Sequence, residues 1–430
     1  MPRGGLRSTA RTDTERRMAG VNDISYLKLI KYILEDKMSI RFVNTDEYDR
    51  VQYIVTYCFP WLHEVSEESI SNKAKRIVPE NILGYYDESN TLMALAEDIP
   101  FKIMIDGIPM DMGGIAMVAS LPEGRHGGHV ANILKRWLEI MKDRGQTVSM
   151  LGPFSYEFYR KYGWELGFDR MNYTIPVEHL KTFNHKVGKI RPVTEEDVDE
   201  LNALYTIYAS KHNGCAVRDK LLWTDSVLDD PFADRYGRYA YLWSHDDGTP
   251  GGYIIYTVKN NKMNIHEMIY NDVQAEEGLL WFIYSHQSQI DQVIWSTATD
   301  EQLHLILPNP RIEMKLTPGM MFRVVDVGDA LRKRRYPAGI DLSFDIEISD
   351  PIALWNQGAW NVNVSNGHAR IKKIDSASIK CDIQTFSQIF LGYLTAGEAE
   401  KLGKLKGEKS MIDAMGKSFL HSFTFNNNGF

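Results

Sequence analysis

The sequence predicts a mixed α/β (α+β) protein of several domains, and three observations carry that reading. At 430 residues the chain is too long for one ordinary core, and a scale of roughly 150 residues per domain suggests two or three units. Ile40-Arg41-Phe42-Val43-Asn44-Thr45-Asp46-Glu47 reappears 150 residues later as Ile190-Arg191-Pro192-Val193-Thr194-Glu195-Glu196-Asp197, so two related modules stand in tandem. From residue 340, Ile340, Leu342, Phe344, Ile346 and Ile348 alternate with polar residues, the pattern of a half-buried strand opening a third, α+β segment.

The elements follow in order. Residues 1–23 carry Arg3, Arg7, Arg11, Arg16 and Arg17 but no apolar stretch, which predicts a loose arm and not a secretory signal. Ile24, Leu27, Ile30 and Leu34 then share one helical face, that of a docked helix or of one lying on a membrane surface or partner. Each repeat copy predicts a short strand, an acidic turn with an N-cap, and a helix: Tyr48, Val51, Ile54 and Val55 mark the first, and Val198, Leu201 and Leu204 the second. TLMALAE, FKIMID and GGIAMVAS read as strands, with Asp106-Gly107 a hairpin turn. Val130, Ile133, Leu134, Trp137, Leu138 and Met141 then form a helical stripe, TVSML a strand, and FSYEFYRKYG a short helix and turn. In the third segment NVNVSNGHARI folds back at Asn366-Gly367, and helices are expected near 382–395, 397–405 and 410–421.

Bulk properties narrow the chemistry. A net charge of −8 argues against a general nucleic-acid binder and suits cationic ligands. Cys58, Cys215 and Cys381 lie far apart without CxxC spacing, so neither a disulfide framework nor a zinc site is expected, and a reducing, cytoplasmic setting fits. Apolar runs are of the size of LLWFIY at 279–284, well short of the ~20 residues that span a bilayer, so no membrane partner is expected.

LPEGRHGGHVANIL, from residue 121, sets bare glycines ahead of the helical stripe. A helix N-terminus presents unpaired N–H groups and about half a positive charge, so such a loop forms an anion site, with phosphate its natural guest. Gly127 and Gly128 let the backbone approach, and Arg125 and His126 add charge. The bland reading is a turn that merely caps a helix. No Gly-Lys-Ser/Thr follows, which excludes a Walker loop. His126 and His129 stand three apart, but no carboxylate or cysteine completes a metal set, so no metal is expected.

The pattern GGIAMVASLPEGRHGGHVANIL resembles the acetyl-CoA loop of the GNAT N-acetyltransferases, read here as Arg125-His126-Gly127-Gly128-His129-Val130. With SYEFYRKYGWE, the degenerate second copy and the terminal Phe430, residues 38–430 resemble the Enhanced intracellular survival (Eis) family. Val130 stands where the GNAT signature ends in Gly or Ala, and Gly127 where relatives often carry a basic residue. The resemblance implies an extension over 1–37, an active GNAT domain over 38–185, a degenerate one over 186–317, and a sterol-carrier-protein-like domain over 318–430. It also implies that Val118 points its amide at the acetyl oxygen, that Ala119 and Ser120 pair the pantetheine arm of acetyl-CoA, and that Arg125, His126, Gly127, Gly128 and His129 hold its pyrophosphate. Tyr159 is implied as general acid, its phenol (pKa ~10) staying protonated beside a thiol of ~8.5. The Phe430 carboxylate is implied to attract the acceptor ammonium, and Trp61 either lines the acceptor pocket or packs in the core. IHEMIYNDVQAEEGLLW (265–281), the matching stretch of the second copy, lacks the arginine, so that copy is expected to be structural. The implied substrate is a primary amine such as an aminoglycoside, with lysine peptides or polyamines as alternatives, and the implied assembly is a homo-hexamer. The rival outside enzymology is a carrier of an apolar ligand.

Overall fold

The computed structural model describes residues 39–60, 78–125, 127–228 and 237–428; the helix expected over 24–37, Trp61, His126 and Phe430 lie outside them. The first module opens with β1 (Ile40–Phe42) and α1 (Tyr48–Cys58), joined by a turn in which the Asn44 amide donates to the Glu47 carboxylate at 2.8 Å. Arg41 grips the same carboxylate with two bonds of 2.9 Å, and those bonds hold its pKa down at about 2. The second copy repeats the device, Arg191 taking both oxygens of Asp197 at 2.7 Å. The sequence repeat is therefore a repeat of one fold-opening ion pair.

From there β2 (Ile82–Tyr86), β3 (Leu92–Ile105) and β4 (Ile108–Ser120) form an antiparallel meander. Asp106 (φ 49°) and Gly107 (φ 71°) make the left-handed two-residue hairpin expected of Asp-Gly. β3 runs unbroken where the sequence suggested two strands. Pro100 tolerates this because it lies between the stretch of β3 that pairs with β2, which ends at Glu97, and the stretch at Lys102 and Met104 that bonds to residues 215–217. α2 (His129–Asp143) crosses one face and buries Ile133, Leu134, Trp137, Leu138 and Met141. β5 (Val148–Leu151) runs parallel to β4, and α3 (Tyr156–Arg160) leads to the short β6 (Glu165–Leu166).

The second module comprises β7 (Asp169–Pro176), β8 (Lys189–Pro192), α4 (Val198–Ala209), β9 (Tyr239–Ser244), β10 (Pro250–Lys259), β11 (Lys262–Tyr270), α5 (Val273–Tyr284), β12 (Gln292–Thr297) and β13 (Glu313–Pro318). β14 (Met321–Val324) follows. The first sheet has the order β1-β2-β3-β4-β5-β14-β6 and the second β8-β9-β10-β11-β12-β7-β13. The two orders correspond place by place; the sixth strand of the first sheet, β14, follows the whole second module, whereas that of the second, β7, lies between the first module and β8. By hydrogen bonding, β7, within 38–185, belongs to the second sheet, and β14, within 318–430, to the first.

The third module has β15 (Asp341–Ser349), β16 (Gly358–Ser365), β17 (His368–Ile374), β18 (Ile379–Asp382) and β19 (Lys406–Gly407) in the order β17-β16-β15-β18-β19, with α6 (Val327–Lys333) preceding the sheet. The Asn366-Gly367 hairpin and helices α7 (Ile383–Leu391), α8 (Ala396–Lys401) and α9 (Lys409–Ser418) occupy the expected stretches. Its core is not separate. Met112, Val148, Met150, Phe322 and Val324 of the first sheet pack in one cluster with Phe344, Ile346, Phe386, Phe390 and Phe419.

A buried ion pair ties this cluster to α3. Arg323 on β14 donates to the Tyr162 carbonyl and lies 2.5 Å from Asp350, both side chains fully buried. Asp350 also accepts from Asn356 at 3.0 Å. Asp350→Ala would strand a buried guanidinium, and a loss of about 3–5 kcal/mol in folding stability is expected from urea unfolding.

Candidate active site

β4 and β5 pair from Met112↔Val148 to Ile115↔Leu151 and then part. The cause lies on the other edge of β4. Between Ala116↔Glu97 and Ala119↔Leu95 the strand carries one extra residue, and Met117 adopts φ 47°. Val118, Ala119 and Ser120 thus keep β3 on one side and have no strand on the other among the described residues. Such a free edge can accept an extended chain as an added strand. At its end the Ser120 carbonyl receives Cys58 Sγ and Arg125 Nε, each at 3.4 Å.

The loop 121–128 carries the chain to α2. Gly128 takes φ 75°, where a side chain is strained. Gly127 serves a different need, because a Cβ there would stand 2.4 Å from His129 Nε2. The His129 ring stacks on Tyr85 with centroids 3.7 Å apart, and burial lowers its pKa. It is a neutral packing group, and what it offers an anion is its backbone amide. None of the backbone amides of residues 127–131 bonds to a described residue, while Asn132 makes the first helical bond, to Gly128 at 3.0 Å. With exposed Arg125 beside them, these amides form a cradle for an anion of diphosphate size.

α3 leaves the far side of the gap. Ser155 caps it by accepting from the Phe158 amide, and Gln384 of the third module donates to the Arg160 carbonyl at 2.9 Å. Tyr159 is 2 % exposed, its ring set between Phe154 and Phe158 at centroid distances of 5.2 and 5.1 Å. Its hydroxyl has no hydrogen bond to a described residue, and burial raises its pKa further above the usual phenol value. Tyr159 packs in one cluster with Ile115 and Leu151, the last paired residues before β4 and β5 part, and carries a neutral, unspent O–H. Tyr156 is spent structurally, donating to the Gly319 carbonyl at 2.6 Å.

The chain's last described residues are threaded into the second module. Asn213 and Thr424 form a parallel bridge, Arg170 donates to the Asn426 carbonyl at 2.7 Å, and Arg218 to Asn428 Oδ1 at 2.9 Å. Asn426 and Asn428 are 2 % and 4 % exposed. An amide side chain donates and accepts at once, which is why asparagines can be buried against so many backbone groups.

In the second module only residues 271–272 separate β11 from α5, and Asp272 caps that helix itself by accepting from Ala275 at 2.9 Å. Glu276 stands in the first turn. No anion cradle remains there.

This geometry has known relatives. Residues 39–167 match a family model described as an acetyltransferase (GNAT) domain, residues 214–324 match a second model of the same description, and residues 327–422 match a sterol carrier protein domain. The two acetyltransferase matches together cover more than half of the chain. The chain belongs to the GNAT N-acetyltransferases.

An uncharacterized N-acetyltransferase of Streptomyces avermitilis is 21% identical over 393 residues, 85% of this chain and 93% of its own. One from Streptomyces griseus is 23% identical over 344 residues, 71% of this chain and 78% of its own. Among solved structures, a probable N-acyltransferase from Enterococcus faecalis V583 superposes with TM-score 0.83 at 26% identity, over 91% of this chain and 99% of that one. Eis1 from Mycobacterium abscessus gives 0.73 at 19% identity, over 91% and 100%, and shares the fold.

Of the expected GNAT site residues, Val118, Ala119 and Ser120 form the free edge, Arg125, Gly127, Gly128 and His129 form or flank the cradle, and Tyr159 stands across the gap. The role of Tyr85 as a platform for His129 carried no sequence signal. Inorganic pyrophosphate should bind this GNAT loop. Arg125→Ala should weaken it about tenfold or more by calorimetry, a charge-assisted bond contributing ~1.5–3 kcal/mol.

Proposed function

We propose that the first module transfers the acetyl group of acetyl-CoA to a primary amine of a cationic small molecule, aminoglycosides being the class to test first. The observation that carries this reading is the row of unpaired amides at 127–131, which follows the free edge of β4, with Tyr159 packed in the same cluster as Val118 and Val130. In this reading the pyrophosphate lies on those amides and Arg125, and the pantetheine arm pairs with Ala119 and Ser120 as an added strand. The thioester carbonyl then lies at the splay, its oxygen toward the Val118 amide.

The amine nitrogen attacks the carbonyl carbon, the C–N bond forms, and the C–S bond breaks. Tyr159 delivers its proton to the departing sulfur, the proton lost by the amine passes to solvent, and the phenolate recovers one from solvent. A buried phenol suits the acid's part, because it stays protonated at every pH where the amine is free. The Phe430 carboxylate is assigned to hold the acceptor ammonium, a reading supported by the buried path of residues 424–428. The chain's charge of −8 favours polycationic acceptors by long-range attraction.

Thiol release from acetyl-CoA, followed across aminoglycosides, polyamines and lysine peptides, tests the reading. Turnover is expected with aminoglycosides; turnover with peptides alone would move the acceptor to lysine side chains, and none at all would favour a carrier. Tyr159→Phe should lower kcat by about 10²-fold or more, the range of general-acid contributions, with little change in acetyl-CoA affinity. A chain ending at Asn428 should lose acceptor affinity more than coenzyme affinity.

A further inference from the structure

The second module keeps a cleft after losing its phosphate cradle. β11 and β12 pair from Lys262↔Gln292 to Ile265↔Trp295 and then part, as β4 and β5 do. A cavity of about 420 Å³ opens in the gap, within the ~300–1,000 Å³ range of small-molecule sites.

Its inner wall is acidic. Glu276, Asp300 and Glu301 line it, and the Tyr270 hydroxyl donates to Glu301 at 2.7 Å. Burial raises the Glu301 pKa to about 7 and moves Glu276 in the same direction, so these carboxyl groups resist charging. Asp300 is satisfied by His212, whose Nε2 lies 2.9 Å away. Thr297 is only 6 % exposed and lines the cavity, yet its hydroxyl has no hydrogen bond to a described residue. The Tyr208 hydroxyl on the same lining also has none. Both hydroxyls are open to the cavity and free to meet an occupant. The outer wall is apolar, with Leu305 66 % and Ile306 44 % exposed beside Met268.

We propose that this cavity binds a protonated primary amine with a short apolar body. Its ammonium donates to Glu276, Glu301 and the Thr297 hydroxyl, and its carbon chain lies on Met268, Leu305 and Ile306. An ammonium has three donors and no acceptor, which matches a cavity lined by the acceptors Glu276, Glu301 and Thr297 beside apolar side chains. The inference stands apart from the transfer reading, since it uses no residue of the first module.

Titration has a defined sign. The groups around the ammonium position are Tyr208, Lys211 and His212 from α4 and the turn after it, Tyr270 from β11, Glu276 and its neighbour Glu277 from α5, and Asp300 and Glu301 after β12. As pH rises through about 7 Glu301 becomes an anion, so amine affinity rises.

Calorimetry on the full chain, without acetyl-CoA and with n-hexylamine as probe, decides the matter. Hexylamine should bind at least tenfold more tightly than n-hexanol or hexanoate at pH 8, and several-fold more tightly at pH 8 than at pH 6. Glu276→Gln with Glu301→Gln should cost at least tenfold in affinity without lowering Tm, because the pair no longer has to charge, whereas Tyr159→Phe should leave binding unchanged. Equal binding of hexanol, a flat pH profile, or full affinity in the double glutamine variant would each overturn the proposal. So would loss of binding in Tyr159→Phe, which would place the amine in the first module.

Discussion

A strand can satisfy two neighbours only while its backbone stays in phase with both. β4 loses that phase at Met117, where an extra residue is accommodated in the left-handed region and the strand turns away from β5 after Ile115. Everything chemical in the first module follows from this one mismatch. The freed edge at 118–120 becomes a template for an extended ligand, and the loop that follows ends on glycines whose amides are unspent. The helix across the gap brings Tyr159 to the same place. In the second module β11 and β12 also part, but a two-residue connection leaves no room for a cradle, and Asp272 occupies the helix terminus. The same backbone geometry thus supports an anion site in one copy and an acidic cleft in the other.

The gap needs rigid walls, and these come from other parts of the chain. The first sheet is completed by β14, which arrives after the whole second module, and the second sheet by β7, which precedes it. The first sheet therefore cannot complete its ladders until the chain has passed through the whole second module. The third module adds a second constraint. Its aromatic core covers the underside of the first sheet, and the Arg323–Asp350 pair and Gln384 fix the backbone around α3. Tyr159 is held in position by residues nearly two hundred positions away in sequence.

The local grammar of the chain was legible because local physics decides it. Asp106-Gly107 and Asn366-Gly367 fold as two-residue hairpins since both positions of each tolerate positive φ. The two copies of the opening motif build the same arginine–carboxylate pair. The α2 stripe is buried as its spacing requires, and the bare loop at 121–128 does end at an uncapped helix. Other features had no local signal. The resemblance makes His129 a pyrophosphate contact, yet Tyr85, distant in sequence, holds its ring in a stacked, neutral state. The tail asparagines carry no local signal of burial, yet Arg170, Gly214 and Arg218 supply partners that bury them.

By itself, then, the sequence determined the period of each helix and strand, the turns, the repeat, and the residue types able to hold an anion and donate a proton. These depend on neighbours a few positions apart. The tertiary structure alone decided which strands share a sheet, where β4 leaves β5, and which polar groups end unpaired. Those outcomes depend on contacts between residues far apart along the chain, where many pairings are compatible with the same local pattern and only packing of the whole selects one.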